Sequence, residues 1–267
     1  MKITMFGTGN AMVTECYNTC FMLSDGNGHF LVDGGGGNTI LRQLKVSGYD
    51  CMDIHEIFVT HKHIDHILGI IWVVRKICQS GVKKQHIEDV NIYGHEEVIA
   101  LLKNMLRELL WKEQLRFVTE HIHFIVVKDG ETRRILGRKV TFFDIHSTKD
   151  KQFGFCMELD NGEKLTCCGD EPYNPCVRAY AENSAWLLHE AFCLYAQADI
   201  FSPYEKHHST VKDACETAEE LGVKNLILYH TEDRNLPDRK RLYMEEGSRY
   251  FHGRLYIPDD LESIYLS

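Results

Sequence analysis

Apolar residues in the first third of the chain come in short runs cut by glycine-containing turns. Residues 3–6, 19–23 and 30–33 read as strands, and Asp25-Gly26-Asn27-Gly28 is a hairpin signal between the second and third. Residues 38–46 carry helical spacing and stop at Ser47-Gly48. The run 56–60 predicts a buried strand and 67–77 is apolar over a helical length, so the residues between them fall on a strand-to-helix turn. A strand is expected at 90–93. At 96–110, Val98, Ile99, Leu101, Leu102, Met105, Leu106, Leu109 and Leu110 form a helical stripe that reads as core packing. His121, Phe124, Val126 and Val127 suggest a further strand, with His121 and His123 as residues of its face.

The second half repeats the strand-rich style at 139–145, 153–159 and 164–168, with an Asn161-Gly162 turn before the last. Residues 185–190 and 226–229 read as buried strands. Thr210 with Asp213 fits a capping box that opens a helix whose apolar face is Val211, Ala214, Cys215, Ala218 and Leu221, with Gly222 as its stop. The tail, 236–267, predicts a helix and two short strands. Strands mixed with helices throughout place the chain in the α/β class.

Composition narrows this picture. At 267 residues and 44% hydrophobic, the chain can bury a large core as one domain or two fused halves, and a single domain spanning 1–267 is the expectation. No run approaches the roughly 20 apolar residues of a membrane span. The N-terminus lacks a signal-peptide pattern, so a soluble, cytoplasmic protein is expected. Ten scattered cysteines without a C-x-x-C pair read as reduced, buried thiols. A formal charge of −9 argues against nucleic acid as an obligatory partner. The basic clusters Lys83-Lys84, Arg133-Arg134 with Arg138-Lys139, and Arg239-Lys240-Arg241 read as solvated faces.

The densest chemistry lies at Thr60-His61-Lys62-His63-Ile64-Asp65-His66, an H-x-H-x-D-H pattern on the strand-to-helix turn. Imidazole and carboxylate are the ligands that zinc-like ions prefer, and this spacing lets several face one or two ions from a short loop. Asp33-Gly34-Gly35-Gly36-Gly37 lacks the Lys-Ser/Thr ending of a phosphate-binding loop and reads as close backbone approach beneath a site. His146, Asp170 and His230 each follow a predicted strand, where each alone is either a ligand or a polar cap. Such strand ends can converge on one sheet edge. His189-Glu190 ends another strand, and His208 precedes a helix N-terminus, where Glu190 could compensate the helix's positive end.

Gly7-Thr8-Gly9, Asn18-Thr19, Leu31-Val32-Asp33-Gly34, the Thr60–His66 motif, His146, Gly169-Asp170, His189-Glu190-Ala191, His208-Ser209-Thr210 and Leu228-Tyr229-His230 together resemble the metallo-β-lactamase superfamily. Within it they are similar to the phosphodiesterase branch that includes tRNase Z. The resemblance covers nearly the whole chain. It implies a four-layer αββα sandwich and two metal ions, Zn2+ by default, with Mn2+ or Fe as other occupants. By resemblance, His61, His63 and His146 hold the first metal, Asp65, His66 and His230 the second, and Asp170 bridges both. The resemblance implies a hydroxide held between the ions that attacks phosphorus, and Asp65, Glu190 and His208 are the expected catalytic residues. Glu190 and His208 match an acid dyad in which His208 serves the departing alkoxide, while His189 is structural.

One departure matters. The long basic arm that most tRNase Z enzymes carry between the positions of His146 and Asp170 has no room here, because two strands and a turn fill 147–169. The expected substrate is therefore a small or single-stranded phosphodiester: a cyclic nucleotide, a nucleotide derivative or a short RNA. Processing of tRNA 3′ ends with a reduced exosite, lactone or thioester hydrolysis, and a metal-stabilised binding or sensing protein are the alternatives. A homodimer is expected by analogy.

Overall fold

The computed structural model describes residues 1–84 and 87–266. In chain order its first elements are β1 (Lys2–Gly7), β2 (Cys20–Asp25), β3 (Gly28–Val32), α1 (Thr39–Val46), β4 (Glu56–Phe58), α2 (Ile64–Lys84), β5 (Val90–Gly94), α3 (Glu96–Leu109), α4 (Lys112–His121) and β6 (Ile122–Val126). Then come β7 (Thr132–Ile135), β8 (Arg138–Asp144), β9 (Phe153–Glu158), β10 (Lys164–Cys167), α5 (Arg178–Ala181), β11 (Trp186–Glu190), α6 (Ala198–Phe201), α7 (Val211–Glu220), β12 (Asn225–Tyr229), α8 (Arg239–Gly247), β13 (Arg254–Tyr256) and β14 (Ser263–Tyr265). The expected tail of a helix and two strands is present, except that Ser267 lies outside the described residues.

The chain divides into two compact units. The first comprises Met1–Gly7, Tyr17–Val127 and Asp260–Ser267, and the second Thr8–Cys16 and Lys128–Asp259. The first is built on a seven-stranded sheet of order β14-β1-β2-β3-β4-β5-β6, antiparallel from β14 to β3 and parallel from β3 to β6. Met22, Leu31, Ile57 and Ile92 on one sheet face pack with Ile40, Ile70, Val74, Ile99 and Leu102 of the helices, a continuous apolar cluster with every one of these side chains buried. The second unit has its own seven-stranded sheet, β13-β12-β11-β10-β9-β8-β7, parallel from β13 to β10 and antiparallel onward. Leu187, Leu226 and Leu228 pack there against Val211, Ala214, Cys215 and Ala218 of α7. The Thr210/Asp213 capping box that opens α7 forms as expected.

Four expectations need correction. Helix α2 starts at Ile64 and ends at Lys84, wider than 67–77, so Asp65 and His66 stand on its first turn. His121 ends α4 and is not a strand residue, and it shares Asp89 with His123 (2.9 and 3.0 Å). Arg239 is 1% exposed and no surface residue: its guanidinium donates to Thr8 Oγ1 (3.0 Å), Thr231 Oγ1 (2.7 Å) and the Pro258 carbonyl (2.8 Å). Arg138 is also buried, paired with Asp160 and donating to the Leu136 carbonyl.

The glycine run makes the close approach read from its sequence. The Gly34 N–H donates to the His66 carbonyl (2.8 Å) and the Gly69 N–H to the Gly35 carbonyl (2.8 Å), so the loop after β3 lies directly on the start of α2. A Cβ on Gly69 would stand 1.7 Å from the Gly34 oxygen, a backbone atom that cannot swing away. Gly69→Ala is expected to cost about 3 kcal/mol through overpacking, whereas Gly26→Ala, whose Cβ meets nothing within 4 Å, should lie near zero. Urea unfolding of both variants checks this.

None of the ten cysteines is in a disulfide. Burial pushes Cys78, Cys193 and Cys215 up to about 12 and Cys51 up to about 11, which starves them of thiolate at neutral pH. Labelling with a thiol-specific disulfide reagent at pH 8 should modify Cys16 and Cys176 in the folded protein, and the buried thiols after denaturation.

Candidate functional site

In the first unit the parallel strands β3 and β4 end side by side, and the loops after them carry the polar groups, as expected at the carboxyl ends of strands in α/β sheets. Asp33 follows β3 in a left-handed conformation (φ +56°) and is 3% exposed. Its Oδ1 accepts the Thr60 N–H (2.8 Å), and its Oδ2 accepts the Thr60 hydroxyl (2.7 Å) and lies 2.7 Å from His66 Nδ1. A threonine hydroxyl has one hydrogen, and here it goes to Asp33. Thr60 Oγ1, 2.9 Å from His61 Nδ1, therefore accepts from that nitrogen. One carboxylate thus fixes two imidazoles, His66 directly and His61 through Thr60, each in the tautomer that puts the lone pair on Nε2.

That is the outer-shell arrangement that metal-binding histidines use. The rings of His63 and His66 lie 4.4 and 4.2 Å from that of His61, and Asp65 Oδ2 is 3.3 Å from His66 Nε2. His61, His63, Asp65 and His66 are therefore brought together as the motif predicted. Two of them leave the loop and two leave the helix.

The second unit gathers its own set. β8 runs in the same direction as β10, with β9 antiparallel between them, and β10, β11 and β12 are parallel. His146, Asp170, Glu190 and His230 consequently leave the sheet at one edge. Asp170 Oδ2 lies 3.4 Å from His230 Nε2, and the Gln152 amide donates to Asp170 Oδ1. Glu190, with no exposure, accepts the Ser209 N–H through Oε1 and faces His208 Nδ1 at 3.5 Å through Oε2. His208 stacks flat on Phe192 (4.9 Å between centroids, 4° between planes), and Glu190, His208 and His230 offer atoms within 4.8 Å of one another.

His146 is exposed, with φ +56°, and lines a cavity of about 370 Å³ together with Thr148, Glu171, Tyr173, Tyr204 and His208. His230 is also left-handed (φ +57°) and is followed by Thr231, whose N–H donates to the Thr8 carbonyl (3.0 Å), while the Asn10 N–H donates to the Thr231 carbonyl (2.9 Å). His189 is buried, with Nδ1 against the Glu190 carbonyl (2.6 Å), in line with a structural role.

The orienting groups Asp33 and Gln152 were not singled out from sequence as site residues. Asp33 had one visible signal, an acidic residue ending an apolar strand before a glycine run. Gln152 immediately precedes β9, with nothing to distinguish it. The donor chemistry suits a metal centre: imidazoles and carboxylates, with Asp33 and Gln152 holding members of each set by their far atoms.

The two mixed sheets with their helices and this edge chemistry define the metallo-β-lactamase fold. The metallo-β-lactamase fold protein YhfI from Bacillus subtilis superposes with a TM-score of 0.79 at 19% identity, covering 98% of each chain. The short form of human tRNase Z superposes with a TM-score of 0.73 at 20% identity over the whole of both chains. A ribonuclease Z of Thermococcus sibiricus is 24% identical over an alignment that spans 100% of this chain and 96% of that protein. Residues 1–251 match the family described as anti-Pycsar protein Apyc1, and the chain belongs to that family.

Because Asp33 must accept at both oxygens, Asp33→Asn replaces an acceptor with a donor. Metal affinity should fall about 10- to 100-fold, measured by competition against a chromophoric chelator. An unchanged affinity would remove the orienting role.

Proposed function

We propose that the protein is a metal-dependent phosphodiesterase acting on small or single-stranded phosphodiesters, with residues 1–267 working as one hydrolase domain. The reading assigns His61, His63 and His146 to one metal ion, Asp65, His66 and His230 to a second, and Asp170 to both, following the family resemblance. Zinc suits the imidazole-rich donors, and manganese or iron fits the same ligand types. When bound, such ions supply Lewis acidity toward phosphoryl oxygen and the acidification of water.

The observation that carries the reading is the Glu190/His208 pair. A carboxylate with no exposure held against Nδ1 of a histidine that lines an open cavity suits an imidazolium whose Nε2 gives a proton to the departing alkoxide. Carbonyl hydrolysis with a lactam or lactone substrate would leave that pair without a task. Phe192 fixes the plane of the imidazole, and the Ser209 N–H fixes the carboxylate, so the donor is set before substrate arrives.

Substrate size follows from the interval between His146 and Asp170, which holds β9, a turn and β10. With no long arm to grip a folded RNA, and a formal charge of −9 opposing polyanions at a distance, a cyclic nucleotide, a nucleotide derivative or a short RNA is the substrate class.

Metal-loaded protein should hydrolyse bis(4-nitrophenyl) phosphate and at least one member of a cyclic-nucleotide and oligonucleotide panel. Absence of turnover above metal in buffer would refute the assignment. His208→Ala should keep its metal content while slowing hydrolysis about 100-fold, and Asp170→Ala should lose metal and activity together. Equal metal loss in the two variants would undo the roles given to them.

A further inference from the structure

Beside His208 stands a cationic group that the pattern of motifs does not mark. Lys149 Nζ lies 3.5 Å from His208 Nε2, the nitrogen opposite the one that faces Glu190. Elsewhere on this acidic chain several lysines are neutralised: Lys62 by Glu97, Lys139 by Glu158, Lys224 by Glu163 and Lys240 by Asp259. Among the described residues no carboxylate lies within ion-pair distance of Lys149. Lys149 Nζ and His208 Nε2 thus face the same small volume, an arrangement that an anionic oxygen touching both would stabilise.

The position of Lys149 is built. Glu171, 6% exposed, accepts the Ser147 hydroxyl through Oε1 (2.7 Å) and the Thr148 N–H through Oε2 (3.0 Å), and the Lys149 N–H donates to Ser147 Oγ (3.2 Å). Thr148 Oγ1 is 2.8 Å from Nδ1 of His207, the neighbour of His208. The short loop after His146 is thereby tied at one side to the residue following Asp170 and at the other to the segment carrying His208. Thr148, Glu171, His207 and His208 all line the 370 Å³ cavity, and Lys149, outside that lining, reaches it through His208.

We propose that Lys149 contacts a non-bridging phosphoryl oxygen of the substrate beside His208, and that Glu171 is the positioning residue that holds the Lys149 loop in place. This deepens the phosphodiesterase reading and rests on it. Lysine acts here as a compact point charge, neutralising one phosphoryl oxygen while His208 serves the leaving oxygen.

Inorganic phosphate is the probe. Its inhibition constant against bis(4-nitrophenyl) phosphate hydrolysis, and its dissociation constant by calorimetry, should rise at least tenfold in Lys149→Ala and less than threefold in Lys149→Arg, with metal content unchanged in both. Glu171→Ala should weaken phosphate to a similar degree, and Lys149→Ala/Glu171→Ala should be no weaker than Lys149→Ala, because both changes remove the same contact. Circular dichroism and metal analysis identify a Glu171→Ala protein that fails to fold, in which case Lys149→Ala and Lys149→Arg decide alone. Phosphate affinity within twofold of wild type in an active, metal-replete Lys149→Ala protein overturns the contact. A wild-type protein inactive on every diester, yet losing phosphate affinity on Lys149→Ala, sinks the hydrolytic reading and upholds the anion contact.

Discussion

The Asp33 carboxylate is the constraint on which the first unit's chemistry depends. It is 3% exposed, it receives the Thr60 N–H and hydroxyl, and it faces His66 Nδ1, so burying it is made tolerable by the donors gathered round it. Those donors are the elements that must be placed: the end of β4 through Thr60, and the first turn of α2 through His66. The glycine loop that follows Asp33 closes the arrangement from below, since Gly34 and Gly35 exchange backbone hydrogen bonds with the same turn of α2. Loop, strand end and helix start are thus one hydrogen-bonded object, and the orientation of two imidazoles is a property of the fold before any ion arrives.

The second unit solves the same problem by other means. Asp170 is held by the side-chain amide of Gln152, and Glu190 by the backbone N–H of Ser209. The strand end at His230 is secured by the Thr8 segment, which Arg239 fastens to Thr231 and to the Pro258 carbonyl. A guanidinium has five donors in a rigid fork, which suits it to fastening three chain segments at a buried point where lysine could not. Tyr229 adds a further tie, its hydroxyl donating to the Gly169 carbonyl immediately before Asp170.

Much of this was legible in the amino-acid sequence because the signals were local. The H-x-H-x-D-H spacing, the strand-then-acid endings at Asp170 and Glu190 and the Thr210/Asp213 capping box all lie within a few residues, and the elements that carry them formed close to the expected places. What escaped was of two kinds. Helix α4 and strand β7 bury few side chains: the four residues of β7 read exposed, exposed, exposed, buried, so periodicity had little to mark. The residues that orient the site act at a distance in sequence. Asp33 meets Thr60 and His66 across 27 and 33 positions, Gln152 meets Asp170 across 18, and Glu171 meets Ser147 across 24. Arg239 was misread as surface because it sits in a basic triplet, and only the fold reveals that one of the three turns inward.

Asp33, His146 and His230 share a backbone trait, φ between +56° and +57°, each just beyond a strand end at the candidate site. A side chain in that conformation costs about 1 kcal/mol or more relative to glycine. Selection for thermal resistance alone would accordingly reward glycine or asparagine at these three places, relaxing the main chain while stripping away the groups that matter. Resistance to heat and retention of chemistry pull in opposite directions at these strand ends, and a hardened descendant of this protein would have to gain its extra stability elsewhere in the molecule.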